Sequence, residues 1–153
     1  MPVSGGGLIS GVSTAVKALR PGARVIGVEP ELAADAAQSL RERRRVTWAP
    51  ELTYRTIADG LRTTALGVHP WEHVRRRVDD IITVSEEQIL SAMRHLAVAG
   101  RLVVEPAGAV AVAAWMHDVA AIDTSTSTVA AIVSGGSVDP VLMASVLSGG
   151  PPA

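Results

Sequence analysis

At 153 residues, with 48% hydrophobic and only 19% charged side chains, the chain is long and apolar enough to bury one sizeable core as a single domain. A formal charge of -1 and a pI near 6.4 give no electrostatic basis for gripping nucleic acid or an anionic membrane. The absence of cysteine excludes disulfides, thiolate chemistry and cysteine-held metals; with no bilayer-length apolar run and no basic-then-apolar start, the cytoplasm is the expected location.

The first informative stretch is Ser4-Gly5-Gly6-Gly7-Leu8, directly ahead of an amphipathic pattern carried by Leu8, Ile9, Val12, Val16 and Leu19 and stopped by Pro21-Gly22. Three glycines let the backbone take positive φ, so that successive N–H groups can converge on an anion at the positive end of the following helix. A plain flexible turn is the competing reading of the same residues. Such a loop normally follows a strand, and only Met1-Pro2-Val3 precede it, so the chain is expected to be the second part of something larger.

Arg24-Val25-Ile26-Gly27-Val28 reads as a buried parallel strand with Glu29 at its carboxyl end. Leu32, Ala33, Ala36, Ala37 and Leu40 then follow helical spacing into a solvated basic cluster at Arg41, Arg43, Arg44 and Arg45. A less regular segment leads to the turn Thr56-Ile57-Ala58-Asp59-Gly60. Pro70 is expected to open a short helix through Val74 and Arg77, Ile81-Ile82-Thr83-Val84 the next strand, and Ser85 with Gln88 a capping box. The helix so opened carries Ile89, Leu90, Met93, Leu96 and Ala97, and closes at Gly100. Pro106 suits the first position of an Ala-rich helix running to about Met116, and 123–128 is a polar loop. The apolar run 129–133 is expected as a further strand ending in a second glycine turn, Ser134-Gly135-Gly136-Ser137, followed by a last helix over 138–147 and a frayed tail. Alternation of strands and helices predicts an α/β chain, a parallel sheet in a three-layer αβα arrangement with ligands at the carboxyl ends of the strands.

Few side-chain sets carry chemistry by themselves. His69 and His73 are four apart but lack an HExxH frame, and His95 and His117 stand alone as surface or packing residues. Glu29 and Asp35 suit either a hard cation or the capping of the next helix, with capping the favoured reading on these residues alone. The Ser134 hydroxyl can meet a ring nitrogen or satisfy its own turn. No Ser-His-Asp motif is present.

Taken in order, Pro2-Val3-Ser4-Gly5-Gly6-Gly7-Leu8, Gly27-Val28-Glu29-Pro30, Thr56-Ile57-Ala58-Asp59-Gly60, Val104-Glu105-Pro106-Ala107-Gly108-Ala109 and Ser134-Gly135-Gly136-Ser137-Val138-Asp139 resemble the serine/threonine dehydratase and serine racemase family. These are pyridoxal-phosphate (PLP) enzymes of the tryptophan synthase β-like fold. The resemblance is collinear over the whole chain but covers the family's C-terminal half. It implies that residues 1–148 are half of the cofactor-binding large domain, with 149–153 a tail.

By that likeness Ser4, Gly5, Gly6, Gly7 and Leu8 match the loop that binds the cofactor phosphate, Ser4 standing where many members have a fourth glycine. Ser134 matches the serine that meets the pyridine nitrogen, and Ser137 stands where the racemase pattern has Asn. Glu29, Ala33 (through its carbonyl) and Asp35 match positions where some relatives hold Mg²⁺ or another divalent cation. Gly60 and Glu105 match positions near the cofactor ring. The family's cofactor-bonding lysine lies in its N-terminal half. The only lysine here, Lys17, sits at a position the family does not use, and is expected to be a solvated amine on an ordinary helix. The resemblance thus implies deamination of L-serine or L-threonine to a 2-oxo acid and ammonia, in an enzyme to which this chain brings no catalytic residue. A racemase-type activity and a non-catalytic binding module are the alternatives. A homodimer, or pairing with a chain carrying the N-terminal half, is the implied assembly.

Overall fold

The computed structural model describes residues 1–117 and 128–149. The elements are α1 (Gly7–Leu19), β1 (Ile26–Pro30), α2 (Asp35–Glu42), α3 (Pro50–Thr53), α4 (Val68–Arg77), β2 (Asp80–Val84), α5 (Glu86–Val98), α6 (Pro106–His117) and α7 (Pro140–Ser148). Short 3-10 turns occupy Glu31–Ala33 and Asp59–Leu61.

β1 and β2 run parallel in the register Val28 against Ile82, and residues 1–3 lie against the other edge of β1 through a parallel bridge from Pro2 to Val28. Val3 N–H donates to Val28 O at 3.0 Å and Val28 N–H to Met1 O at 2.8 Å, which is the alternating pattern of a parallel ladder. Strand pleating sends alternate side chains to opposite faces. Val25 and Ile81 therefore join a core with Val3, Ile9, Ala36, Leu66 and Val74 beneath α1, α2 and α4. Val28 and Val84 join Ile89, Met93, Ala109, Val110 and Val146 beneath α5, α6 and α7. Two apolar clusters on the two faces of one sheet make the expected three layers. α6 packs on both strands and is buried along nearly its whole length, which its Ala and Gly side chains permit by letting backbones approach closely.

Several sequence expectations change once packing is known. On α1 the buried residues are Ile9, Ser10 and Ser13, facing α4, while Leu8 is 49% and Leu19 77% exposed; the apolar stripe is narrower than its spacing suggests. The left-handed position after α5 is taken by Arg101 at φ 56°, not by Gly100. Arg45, exposed with the rest of the basic cluster as expected, has a further role, donating from Nε to Leu66 O at 2.5 Å. Residues 129–133 enter no ladder among the described residues. A strand needs a neighbour for its N–H and C=O groups, and here a groove of about 380 Å³, walled by Met1, Ile26, Val28, Ala111, Trp115 and Ala130, separates this run from β1. Apart from Thr128, the expected 123–128 loop falls outside the described residues, as does the tail beyond Gly149. Among the described residues no helix is long and apolar enough to cross a membrane.

The capping box is present as the sequence implies: Ser85 Oγ accepts from Gln88 N–H at 3.2 Å, and Gln88 Oε1 accepts from Ser85 N–H at 2.9 Å. Glu86, the next residue, turns its carboxylate to Thr56 Oγ1 and Ile57 N, both at 2.7 Å, anchoring the 56–60 turn to α5. Replacing Ser85 with Ala removes one cap acceptor. It is expected to cost about 1 kcal/mol in urea unfolding at unchanged m-value.

Candidate functional site

The first glycine turn leaves residues 1–3 at their carboxyl end and enters α1. Gly6 precedes the helix at φ 86°, where any side chain is strained, and a Cβ there would lie 2.7 Å from Leu66 Cδ2. Its carbonyl accepts from Ser10 N–H at 3.0 Å and Ser10 Oγ at 2.6 Å. Gly5 is held from behind, its carbonyl accepting Gly67 N–H at 2.9 Å. No side chain caps α1, no acid occupies its first turn, and among the described residues the Gly7 and Leu8 N–H groups meet no acceptor. Open amides at the positive end of a helix make an anion seat. Leu8 brings its backbone to this seat while its side chain faces out.

The second glycine turn, 134–137, lies against the start of α6. Glu105 N–H donates to Gly135 O at 3.1 Å, and the Glu105 carboxylate accepts from Ser137 N–H at 2.8 Å. Ser134 is exposed, and its hydroxyl makes no hydrogen bond among the described residues.

A third segment joins the two. Thr63 Oγ1 shares a 2.8 Å hydrogen bond with Ser4 Oγ, and three residues earlier a Cβ on Gly60 would lie 3.7 Å from Glu105 Oε1. The stretch 60–63 thus bonds Ser4 of the first turn through Thr63 and passes, at Gly60, beside the start of α6, next to the residue bonded to the second. Fifty-nine positions separate Ser4 from Thr63, and no sequence signal links them.

Glu29 and Asp35 lie deeper, at the carboxyl end of β1, and both are 1% exposed. It is Glu29 that caps α2: its Oε1 accepts Ala36 N–H at 3.2 Å and its Oε2 accepts Ala37 N–H at 2.7 Å. Both Asp35 carboxylate oxygens are buried without any hydrogen-bond partner among the described residues. Ala33, buried at the end of the 3-10 turn, lies between them in sequence. Burial pushes the Glu29 carboxyl well above its ordinary range, with the Asp35 charge adding to the rise and the Ala37 and Ala36 N–H groups opposing it. Burial likewise lifts Asp35 to about 7, against the pull of its own nearby backbone N–H and of Arg45. Two orphaned, desolvated oxygens beside a second acid suit an oxygen-seeking cation such as Mg²⁺. Among the described residues no three His, Cys, Asp or Glu side chains cluster for a metal, so such a set would need a backbone carbonyl.

Lys17 is not the solvated amine expected. Its Nζ donates to Ala23 O at 2.8 Å and to Asp79 Oδ2 and Oδ1 at 2.8 and 3.0 Å, tying the end of α1 to the segment before β1. Burial raises the Asp79 carboxyl, but hydrogen bonds from Lys17 and Val25 outweigh it and hold the group below its usual range. A lysine engaged in this way is no nucleophile. His73 Nδ1 lies 3.2 Å from Thr14 Oγ1 and 3.4 Å from Arg77 Nη1 in a structural contact, while His69 is exposed.

The profile of the family described as "Pyridoxal-phosphate dependent enzyme" matches residues 1–135. The chain belongs to this family. It is 42% identical over 142 residues to a serine racemase of Oryza sativa subsp. indica, covering 91% of this chain and 41% of the racemase. It is 40% identical over 141 residues to an L-threonine ammonia-lyase of Thermotoga maritima, covering 91% of this chain and 33% of the lyase. Among solved structures it resembles a threonine deaminase of T.th. (TM-score 0.79, 45% identity, 90% of this chain and 48% of that one). It also resembles maize serine racemase (TM-score 0.83, 42% identity, 91% and 42%). The fold is that of these PLP-dependent enzymes, and the chain spans about two-fifths or less of the curated relatives' length.

The acid pair sets a pH dependence whose sign is fixed. Asp35 titrates near 7 when folded and near 3.8 when unfolded, so between those values the folded chain binds more protons and stability falls as pH rises. Glu29 acts in the same direction. In the presence of a chelator, the urea midpoint is expected to drop from about pH 4 to about pH 7, and Asp35→Asn to flatten the drop.

Proposed function

We propose that residues 1–148 are the cofactor-holding C-terminal half of a PLP-dependent enzyme that deaminates L-serine or L-threonine to a 2-oxo acid and ammonia. The observation that carries this reading is the 60–63 stretch, which bonds Ser4 of the anion seat at Ser4, Gly5, Gly6, Gly7 and Leu8 and runs close to Glu105, the residue bonded to the turn that follows Ser134. The named activities of the relatives, serine racemase and L-threonine ammonia-lyase, support the substrate class.

When bound, PLP supplies an electron sink for negative charge at the substrate's α-carbon. The amides of the first turn hold the phosphate through backbone N–H groups and the α1 dipole. The Ser134 hydroxyl would donate to the ring nitrogen; being neutral, it would not supply that nitrogen with a full proton, which would make the ring a weaker sink and suit loss of a β-hydroxyl. Glu29, Asp35 and the Ala33 carbonyl would hold a divalent cation such as Mg²⁺.

The lysine that bonds the cofactor and moves the α-proton has to come from polypeptide outside these 153 residues, since Lys17 is committed to Asp79 and Ala23. By themselves these residues bind and do not turn over. The engagement of Lys17 equally favours the second reading, a non-catalytic module that holds the cofactor or pairs with a lysine-bearing chain.

Titration with PLP, followed by fluorescence, is expected to give weak saturable binding without a borohydride-reducible adduct. Ser134→Ala should weaken it several-fold, about 1 kcal/mol, and Gly6→Val should abolish it. A reduced adduct mapped to Lys17 by peptide mass overturns the reading. Because a cation replaces protons on the acid pair, Mg²⁺ is expected to raise Tm more at about pH 8 than at about pH 5, and not at all in Asp35→Asn.

A further inference from the structure

Glu105 occupies the position just before α6, where its carbonyl accepts the Gly108 and Ala109 N–H groups at 3.0 and 3.2 Å. An acid in that place ordinarily turns its carboxylate back onto the first amides of its own helix. Pro106 has no N–H to offer, and the Glu105 carboxylate instead reaches the 134–137 turn, where Oε2 accepts Ser137 N–H at 2.8 Å. Its backbone N–H meanwhile donates to Gly135 O at 3.1 Å. One residue thus grips the turn on both sides of Gly136.

The fit is close enough to dictate composition. A Cβ on Gly135 would lie 2.6 Å from Glu105 Cδ, so the carboxylate lies directly against that glycine's backbone. One helical turn further on, a Cβ on Gly108 would lie 2.7 Å from Gly135 O and 2.8 Å from Gly135 N. Among the described residues, the run 128–136 makes no other backbone hydrogen bond than the one from Glu105 N–H to Gly135 O. Nothing else of comparable strength locates the Ser134 hydroxyl.

We propose that Glu105 is a positioning residue: its carboxylate clamps the 134–137 turn onto α6 and so fixes where the Ser134 hydroxyl stands. The clamp deepens the function proposed above, since its value to the enzyme rests on Ser134 meeting the cofactor nitrogen. Gln at 105 keeps an acceptor oxygen and the same shape. Ala removes the grip on Ser137. Gly108→Ala displaces the turn from the other side without touching the carboxylate, and at a helical site that tolerates Ala.

The test reads amide hydrogen exchange by NMR in wild type, Glu105→Gln, Glu105→Ala and Gly108→Ala, then titrates each with ring-¹⁵N-labelled PLP. A charge-assisted hydrogen bond lost from Ser137 should speed exchange at that amide about tenfold or more in Glu105→Ala, with Glu105→Gln close to wild type. On adding PLP, the ³¹P shift at the first turn should survive in Glu105→Ala and Gly108→Ala, while the ring-¹⁵N shift is lost and is restored in Glu105→Gln. Unchanged Ser137 exchange in Glu105→Ala overturns the clamp, as does loss of ³¹P and ¹⁵N shifts together. If wild type shows no shift with PLP, the proposed function falls, and the exchange measurement alone decides the clamp. Should Glu105→Ala fail to fold, Gly108→Ala carries the same comparison.

Discussion

The candidate site depends on one short stretch of chain that belongs to neither glycine turn. Residues 60–63 bond Ser4 through Thr63 and pass close to Glu105 at Gly60, and they are themselves anchored where Glu86 takes the Thr56 hydroxyl and the Ile57 amide. Arg62 adds two donors to Thr56 O, at 2.9 and 2.7 Å. Without this anchorage the two turns would be separate features at the ends of separate elements. With it, the open amides ahead of α1 and the hydroxyl-bearing turn ahead of α7 flank one intervening segment. The stiffness comes from carboxylate acceptors, Glu86 taking two donors of the 56–60 turn and Glu105 one of the 134–137 turn, which is stronger than pairing neutral groups alone.

What sequence reveals and what it hides divide along a physical line. Ser85 with Gln88 and Pro106 are local signals, because a cap or a first-turn proline acts within four residues, and the helices they open begin where they imply. The three-layer order was legible in the alternation of apolar runs, and the family in motifs strung along the whole chain. Leu8 and Leu19 misled because helical spacing defines a face without saying how wide a neighbour covers it; α4 is met by Ser10 and Ser13, whose small side chains admit close contact. The run 129–133 misled because β-branched composition states a preference that only a bonded neighbour can realise. Lys17, Arg45 and Thr63 were opaque for one reason: each finds its partner through a contact between residues far apart in the chain.

The acid pair at the end of β1 illustrates how an interior charge can be tolerated for a purpose. Glu29 has two amide donors from α2 and is in part compensated; Asp35 has none among the described residues and keeps its proton to near neutrality. Buried polar atoms are nearly always hydrogen-bonded in folded chains, so an oxygen pair left unsatisfied is a local cost that a bound cation would remove.

The groove beside β1 gives the chain a built-in optical label. Trp71 is 9% exposed, Trp48 donates its indole N–H to Gln38 Oε1 at 2.6 Å, and Trp115, at 44% exposure, stands on the groove wall. With one tyrosine and no phenylalanine in the sequence, emission under ultraviolet excitation comes almost wholly from these three indoles. Whatever polypeptide settles against β1 therefore takes water from one chromophore in three and moves its emission toward the blue, without any dye attached.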